Sequence, residues 1–257
     1  MRNSHLWKAY LLGMFLALVA ICHPAFAANE TDAFDRTLPL PAGASVSLTN
    51  VNGSITITGW DRDAVEIHAV KTAKQSASDL GLVGIDTDLE PNRLSISTVY
   101  PQGNDVEVNV DYAVHVPRRI VLEQLSTVNG TVRVSGVQAK GELRSVNGDI
   151  YVAASEGAFS AHTTNGGVNV ELLRLAAQNA LSLGTVNGSI ALVLPRNATA
   201  SLDARSLNGK FHSDLPVTLL SAYSPHGIQG NLNGGGAPVQ LRTVNGAIRV
   251  LALMQNI

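Results

Sequence analysis

Cysteine is nearly absent. The single one, Cys22, lies in an N-terminal apolar stretch. A chain cleaved beyond it has none, which excludes disulfides, cysteine-ligated zinc and thiol catalysis. A basic stripe is absent too. The 18 Lys and Arg residues are scattered among 20 Asp and Glu, so nucleic acid is not an expected partner. No apolar run after residue 27 reaches the ~20 residues that a membrane-spanning helix needs. No nucleophile elbow or phosphate-binding loop occurs. The histidines His68, His115, His162, His212 and His226 do not pair at metal-ligand spacing.

Residues 1–27 have the plan of a secretory signal peptide. Arg2 and Lys8 give a positive start, Leu11 to Cys22 is apolar, and Ala25-Phe26-Ala27 is a small-x-small cleavage site. The apolar run is too short to cross a bilayer. Ile21 stands where lipoprotein processing wants a small residue, which argues against a lipid anchor on Cys22. Cleavage after Ala27 and a periplasmic, extracellular or cell-surface location are expected. Charge is uneven beyond that point. Residues 28–120 hold 7 basic and 13 acidic residues, and residues 121–257 hold 9 and 7.

What the chain does have is a repeat. Asn-Gly sits inside a shared ten-residue pattern at Asn52-Gly53, Asn129-Gly130, Asn147-Gly148, Asn165-Gly166, Asn187-Gly188, Asn208-Gly209 and Asn245-Gly246. Four residues before the Asn stand Leu48, Leu125, Leu143, Ala161, Leu183, Ala204 and Leu241. Two before it stand Asn50, Thr127, Ser145, Thr163, Thr185, Ser206 and Thr243. Three after it stand Ile55, Val132, Ile150, Val168, Ile190, Phe211 and Ile248. Alternation with period two reads as strands with one buried face, and Val, Ile and Thr suit a pleated surface. Asn-Gly is expected to form a structural turn with φ > 0. One such unit is too small to hold its shape alone, so copies must stack.

Two stacks fit the pattern. In a β-solenoid the arms of successive units pair in parallel. In a hairpin array each Asn-Gly is a two-residue type I′ turn. Like residues at like positions, with copies every 18 to 22 residues from Asn129 to Asn208, favour the solenoid. The fold class read from the sequence is therefore all-β: a solenoid of Asn-Gly-centred repeats over residues 121–257 behind an N-terminal β cap over residues 28–120. Within the cap, Val46–Ile57, Val65–Val70, Leu94–Thr98, Val106–Tyr112 and Val114–Val116 read as strands. A short helix is expected near Ser78. Gly227–Gly236 reads as a glycine-rich loop.

The run Val51-Asn52-Gly53-Ser54-Ile55-Thr56-Ile57-Thr58-Gly59-Trp60-Asp61-Arg62-Asp63, followed by Val65-Glu66-Ile67, resembles the opening of the bacterial putative-adhesin β-strand-repeat family, domain of unknown function 4097. The later Thr-Val-Asn-Gly copies share the resemblance, which covers about Leu38 to Leu253. It implies a surface or envelope protein with a solenoid-like β fold and no established catalytic residues. The copies at Asn165, with Thr164 and Gly167, and at Asn208, with Ser213, depart from the apolar pattern.

Other candidates for chemistry are few. His162 and His212 occupy repeat positions expected to face outward. Asp86, Asp88 and Glu90 would share one face of a strand, where oxygen ligands could meet a cation. Asp61 and Asp63 flank Arg62 in a turn and read as an Asp-Arg network. The acidic residues of the repeat half do not recur at one repeat position. No catalytic residue, cofactor or metal is expected. The reading is a non-catalytic exported envelope protein, adhesin-like or a scaffold, whose partner is an envelope or surface ligand, protein or glycan. The alternatives are a carbohydrate-active β-helix enzyme and an envelope-stress sensor or regulatory partner.

Overall fold

A computed structural model describes residues 30–74, 76–103, 106–220, 224 and 226–254. The expected signal segment lies outside the described residues.

Each Asn-Gly unit is a bent pair of strands, and the bend sends the two arms into different pairing columns of one 20-stranded sheet. Between neighbouring units, arms before the Asn pair with other such arms, in parallel. Asn147 lies opposite Asn129 on one side and Asn165 on the other. Asn165 then meets Asn187, and Asn187 meets Asn245. Arms after the Gly likewise pair with one another between neighbouring units: Val132 pairs with Ile55 and Ile150, Val168 with Ile150 and Ile190, and Ile248 with Ile190 and Phe211. The pairing is that of a solenoid. A type I′ hairpin would have paired the two arms of one unit antiparallel to each other.

The register explains the sequence columns. Leu48, Leu125, Leu143, Ala161, Leu183, Leu241 and Ala204 are all buried, as are Ile55, Val132, Ile150, Val168, Ile190 and Ile248. Every rung adds its apolar side chains to one continuous core, so burying a rung depends on its neighbours.

Spatial order departs from chain order at the C-terminal end. The arm Ala237–Asn245 lies between Leu181–Asn187 and Ala200–Ser206. Its second arm, Ile248–Ala252, lies between Ile190–Leu194 and Phe211–Ser213. The last unit in sequence is thus inserted as the last but one in space.

At the N-terminal end the Asn52 unit pairs directly with the Asn129 unit. One further rung without Asn-Gly follows: Arg93–Val99 runs parallel to Ser45–Thr49, and Val108–Pro117 parallel to Ile55–Trp60. Val108–Pro117 is continuous, where the sequence suggested two short strands. Beyond it the pairing turns antiparallel. Ala64–Ala73 lies on Val108–Pro117, Thr31–Pro39 on Ala64–Ala73, and Gly84–Glu90 on Arg93–Val99. The helix expected near Ser78 is a 3-10 turn over Ala77–Leu82 that buries Leu80.

The glycine-rich stretch is not simply a loop. Gly227–Leu232 is a strand antiparallel to Ala200–Ser206 and to Val217–Leu219. A Cβ on Gly230 would lie 2.7 Å from the carbonyl oxygen of Thr218. Close packing between strands, and not chain freedom, calls for glycine there.

Candidate functional site

The corners of the rungs line up along one edge. Each Asn side chain donates from Nδ2 to the Oδ1 of the next. The series runs from Asn208 to Asn245, Asn187, Asn165, Asn147, Asn129 and Asn52, every bond 2.8 Å. Six in-line amide bonds make a ladder of about 29 Å at ~4.8 Å per strand. The backbone runs the other way: the amides of Gly53, Gly130, Gly148, Gly166 and Gly188 donate to the Asn carbonyl of the following rung at 2.9–3.0 Å.

A second rail lies just inside. Two residues before each Asn, the hydroxyls of Thr127, Ser145, Thr163, Thr185, Thr243 and Ser206 donate to the Gly carbonyl of the preceding rung at 2.8–3.0 Å. The first copy carries Asn50 instead because its neighbour there is Val108–Pro117, not another Asn-Gly unit. Asn50 Nδ2 reaches the Val110 carbonyl at 2.8 Å, and its Oδ1 accepts from Thr98 at 2.9 Å. Thr98 also meets the Tyr112 hydroxyl at 2.7 Å, and burial pushes that phenol up to about 12.

The expected positive φ is found at Gly53 and Gly166 and not at the other five glycines of the Asn-Gly pairs. None of the seven Asn residues has φ > 0, and Gly148 does not either. Gly53, at +118°, is the clear left-handed corner. Glycine is needed at Gly148 for a different reason: a Cβ there would lie 2.5 Å from the carbonyl carbon of Gly130 and 3.1 Å from Thr131 N. The neighbouring rung occupies the space. Asp149 accepts from Gly167 N at 2.7 Å and from the Tyr151 hydroxyl at 2.8 Å. Gly167 thus belongs to the regular packing of the Asn165 copy.

One position before each Asn, the side chain points outward. Val51, Val128, Val146, Val186 and Val244 are 36–41% exposed, and Leu207 is 68% exposed. Together with the Asn column they form a ridge of apolar and amide groups that is apolar at every rung except that of Asn165, where Thr164 stands.

A cleft of about 280 Å³ lies where other loops stack. Gly59 makes it possible: a Cβ there would lie 2.8 Å from the carbonyl carbon of Gly136. Trp60 follows at the end of its strand, and its indole N–H donates to Ala64 O at 2.8 Å. The indole stacks on His115 with centroids 5.2 Å apart, and the Arg62 guanidinium lies 4.8 Å from the ring centroid. The backbone ties three loops together, with Arg118 N on Trp60 O at 3.0 Å and Gln138 N on Arg118 O at 2.7 Å. Arg118 grips Asp61 through Nε–Oδ1 at 2.6 Å and Nη2–Oδ2 at 3.2 Å. That hydrogen-bonded pair holds the Asp61 carboxyl below its ordinary value and raises Arg118. Asp61 therefore pairs with Arg118, not with Arg62 as its turn suggested. Arg118, Arg119 and Gln138 were not singled out in the sequence; the Arg118-Arg119 pair after Pro117 is the signal that could have found them.

The remaining candidates are dispersed. His68 meets Asp35 at 2.6 Å and His212 meets Asp214 at 2.9 Å, all on the surface. His162, expected outward, is half-buried against Gly184 and 3.3 Å from Ser182 Oγ. Burial first, then the charge of Arg144, holds its pKa below the ordinary histidine value. Asp86, Asp88 and Glu90 lie on the exposed face of the strand Gly84–Glu90. Among the described residues no group of three or more His, Cys, Asp or Glu is arranged to hold a metal ion. A larger groove of about 430 Å³ runs over Ala158, Ser160, Ala180 and Ser182, beside a Glu142–Arg144 pair at 2.6 Å.

A model of the family described as Toastrack DUF4097 matches residues 37–251. No curated protein matches the chain. Among solved structures, it is similar to a putative cell adhesion protein from Clostridium sporogenes, at 13% identity over 86% of this chain and 100% of that one, with a TM-score of 0.47. It is also similar to a putative adhesin from Bacteroides fragilis, at 10% identity over 86% and 97%, with a TM-score of 0.30. A putative lipid binding protein from Parabacteroides distasonis aligns at 10% identity over 87% and 97%, with a TM-score of 0.31.

Proposed function

The chain belongs to the Toastrack DUF4097 family, and from that premise we propose that it is an exported, non-catalytic envelope protein that works as a rigid binding or scaffolding surface. The observation that carries the reading is the ridge. Its exposed Val51, Val128, Val146, Val186, Val244 and Leu207 stand in register beside an Asn column locked by its own hydrogen bonds. A row of exposed apolar side chains, broken only by Thr164, marks an interaction site, and a locked ladder loses little conformational freedom when a partner docks. The partner is a protein or glycan of the envelope or of a facing surface. The segment at residues 1–27 supports export.

The test has two parts. Fractionation of cells producing the full chain should place a form beginning at Ala28 outside the cytoplasm; retention of the uncut chain inside would refute export. Replacing Val128, Val146 and Val186 together by Lys should abolish retention on isolated envelope material while the protein keeps its melting temperature. Unchanged retention would remove the ridge as the binding face.

A further inference from the structure

The Trp60 cleft carries a charge opposite to that of its surroundings. Residues 28–120 contain 7 basic and 13 acidic residues, yet three of those seven, Arg62, Arg118 and Arg119, line this one cleft. Arg118 is occupied by Asp61. The other carboxylate, Asp63, accepts the Ala42 amide at 3.2 Å. Arg62 and Arg119 have no ion-pair partner among the described residues. With Asp61 and Asp63 against Arg62, Arg118 and Arg119 the lining carries one net positive charge, and two guanidiniums without ion-pair partners favour a bound anion, their planar forks matching a carboxylate.

The rest of the lining is not that of a bare anion site. Next to the guanidiniums stand the Trp60 indole, Pro117 and the Gln138 amide. The indole is held by His115 stacked on it and by the Arg62 guanidinium over its ring, so its edge and Pro117 form an apolar wall for the C–H groups of a pyranose ring. The amide of Gln138 and the carboxylate of Asp63 supply a donor and acceptors for ring hydroxyls. At about 280 Å³ the cleft lies just below the ~300–1,000 Å³ typical of ligand pockets. It holds one ring-sized group, with any longer chain leaving over the surface.

We propose that this cleft binds an acidic sugar residue, a carboxylated pyranose within a polysaccharide, with Arg62 and Arg119 on the carboxylate and the edge of Trp60 as the wall beside the ring. The inference goes beyond the ridge and rests on the export reading only in that exported proteins meet such polymers.

The sequence provides a reporter. Its two tryptophans are Trp7 and Trp60, so a protein from which residues 1–27 have been removed, or which carries Trp7→Phe, fluoresces from Trp60 alone. Trigalacturonate titrated into the purified protein should saturably change that fluorescence and bind more weakly as salt is raised. Calorimetry on the same sample should give the same Kd. Arg62→Gln with Arg119→Gln should weaken binding about tenfold or more at an unchanged melting temperature, since both side chains are exposed. Neutral maltotriose should not bind. The proposal is overturned if trigalacturonate does not bind, or binds without moving Trp60 fluorescence. It is equally overturned if the double variant binds like wild type, or if maltotriose or inorganic phosphate binds as well as the uronide. The titration uses purified protein, so its failure leaves export untested and untouched, and failed export leaves the titration readable.

Discussion

At Gly148 the Gly130 carbonyl lies where a β-carbon would stand, and the rung cannot retreat without giving up its parallel pairing on both sides. Gly148→Val should therefore destabilise by about 3 kcal/mol or more, the upper range for overpacking. Asn147→Ala removes one ladder bond as donor and one as acceptor and should cost about 1–2 kcal/mol. Asp149→Val loses the bonds from Gly167 and Tyr151 and should cost about 1 kcal/mol. Thermal melts read the order, with about 2–4 °C expected per kcal/mol; a Gly148→Val protein as stable as wild type would show that the rung has room. The importance of the glycine was legible from its recurrence, but its cause was not. A contact with a backbone eighteen residues away leaves no local mark, so the turn propensity of Asn-Gly suggested a positive φ that the corner does not have. His162 gives a second test. Its pKa is lowered by burial and by Arg144, so below about pH 6.5 the unfolded chain takes up a proton that the folded one resists. Stability from this residue is full above that pH and falls as pH drops towards the folded value. Unfolding free energies of wild type and His162→Gln, measured between pH 7.5 and pH 5, should diverge in slope, with the wild type the steeper; parallel slopes would mean that His162 is solvated.

Within one element, the two rails divide the work. The Asn ladder is at the surface and the Ser/Thr rail is buried, with Thr163 5% exposed and its hydroxyl on the Gly148 carbonyl at 2.8 Å. Thr163→Val keeps the shape but leaves that carbonyl without its donor, which should cost about 1–3 kcal/mol; Thr163→Ser should cost much less. The ladder also has a chemical consequence. Deamidation at Asn-Gly needs the Gly nitrogen to attack the Asn side-chain carbonyl carbon, expelling ammonia and closing a succinimide that water then opens. In the interior rungs the Gly N–H is held by the next rung and the side chain is bonded on both sides. Asn208 has a single ladder bond. Peptide mapping after prolonged incubation at mildly alkaline pH should find Asn208 converted well before Asn147, and denaturant should abolish the difference. Equal rates in the folded protein would show that the ladder does not restrain its amides. The columns behind both rails could be read from sequence because parallel, in-register stacking places like beside like. The Trp60 cleft was only half legible. Asp61, Arg62 and Asp63 are adjacent in sequence, whereas Arg118 and Gln138 reach them only because three loops stack.

For the whole molecule, the position of the last unit matters most. Even spacing of the middle copies suggested a stack built in chain order, and the Asn-Gly units from Asn52 to Asn187 follow it, although the rung of Arg93–Val99 and Val108–Pro117 lies outside the Asn52 unit and not between it and the Asn129 unit. The longer interval before Asn245 then holds the strands Val217–Leu219 and Gly227–Leu232. Gly227–Leu232 covers the outer side of Ala200–Ser206, which leaves only its inner side for the returning arm. Nothing in the repeat pattern distinguishes a unit that caps the stack from one that slides into it, because both present the same faces. In a solenoid stacked in chain order, removing the last repeat strips an end and leaves the remaining interfaces intact. Here, stopping the chain after Gly236 would remove the rung between the Asn187 and Asn208 units. Leu181–Asn187 and Ile190–Leu194 would each lose their outer neighbour. The Asn208 unit with its antiparallel cover would keep no strand contact to the stack through Ala237–Asn245 or Ile248–Ala252. The truncated protein should therefore lose the order of residues 200–232 as well, and hydrogen exchange should show Ala200–Ser206 and Gly227–Leu232 unprotected while Arg119–Asn129 and Gln138–Asn147 stay protected. Protection of Ala200–Ser206 in the truncated chain would mean that the Asn208 unit can close the gap onto Asn187, and the interleaved order would then be a preference of the intact chain instead of a requirement of the fold.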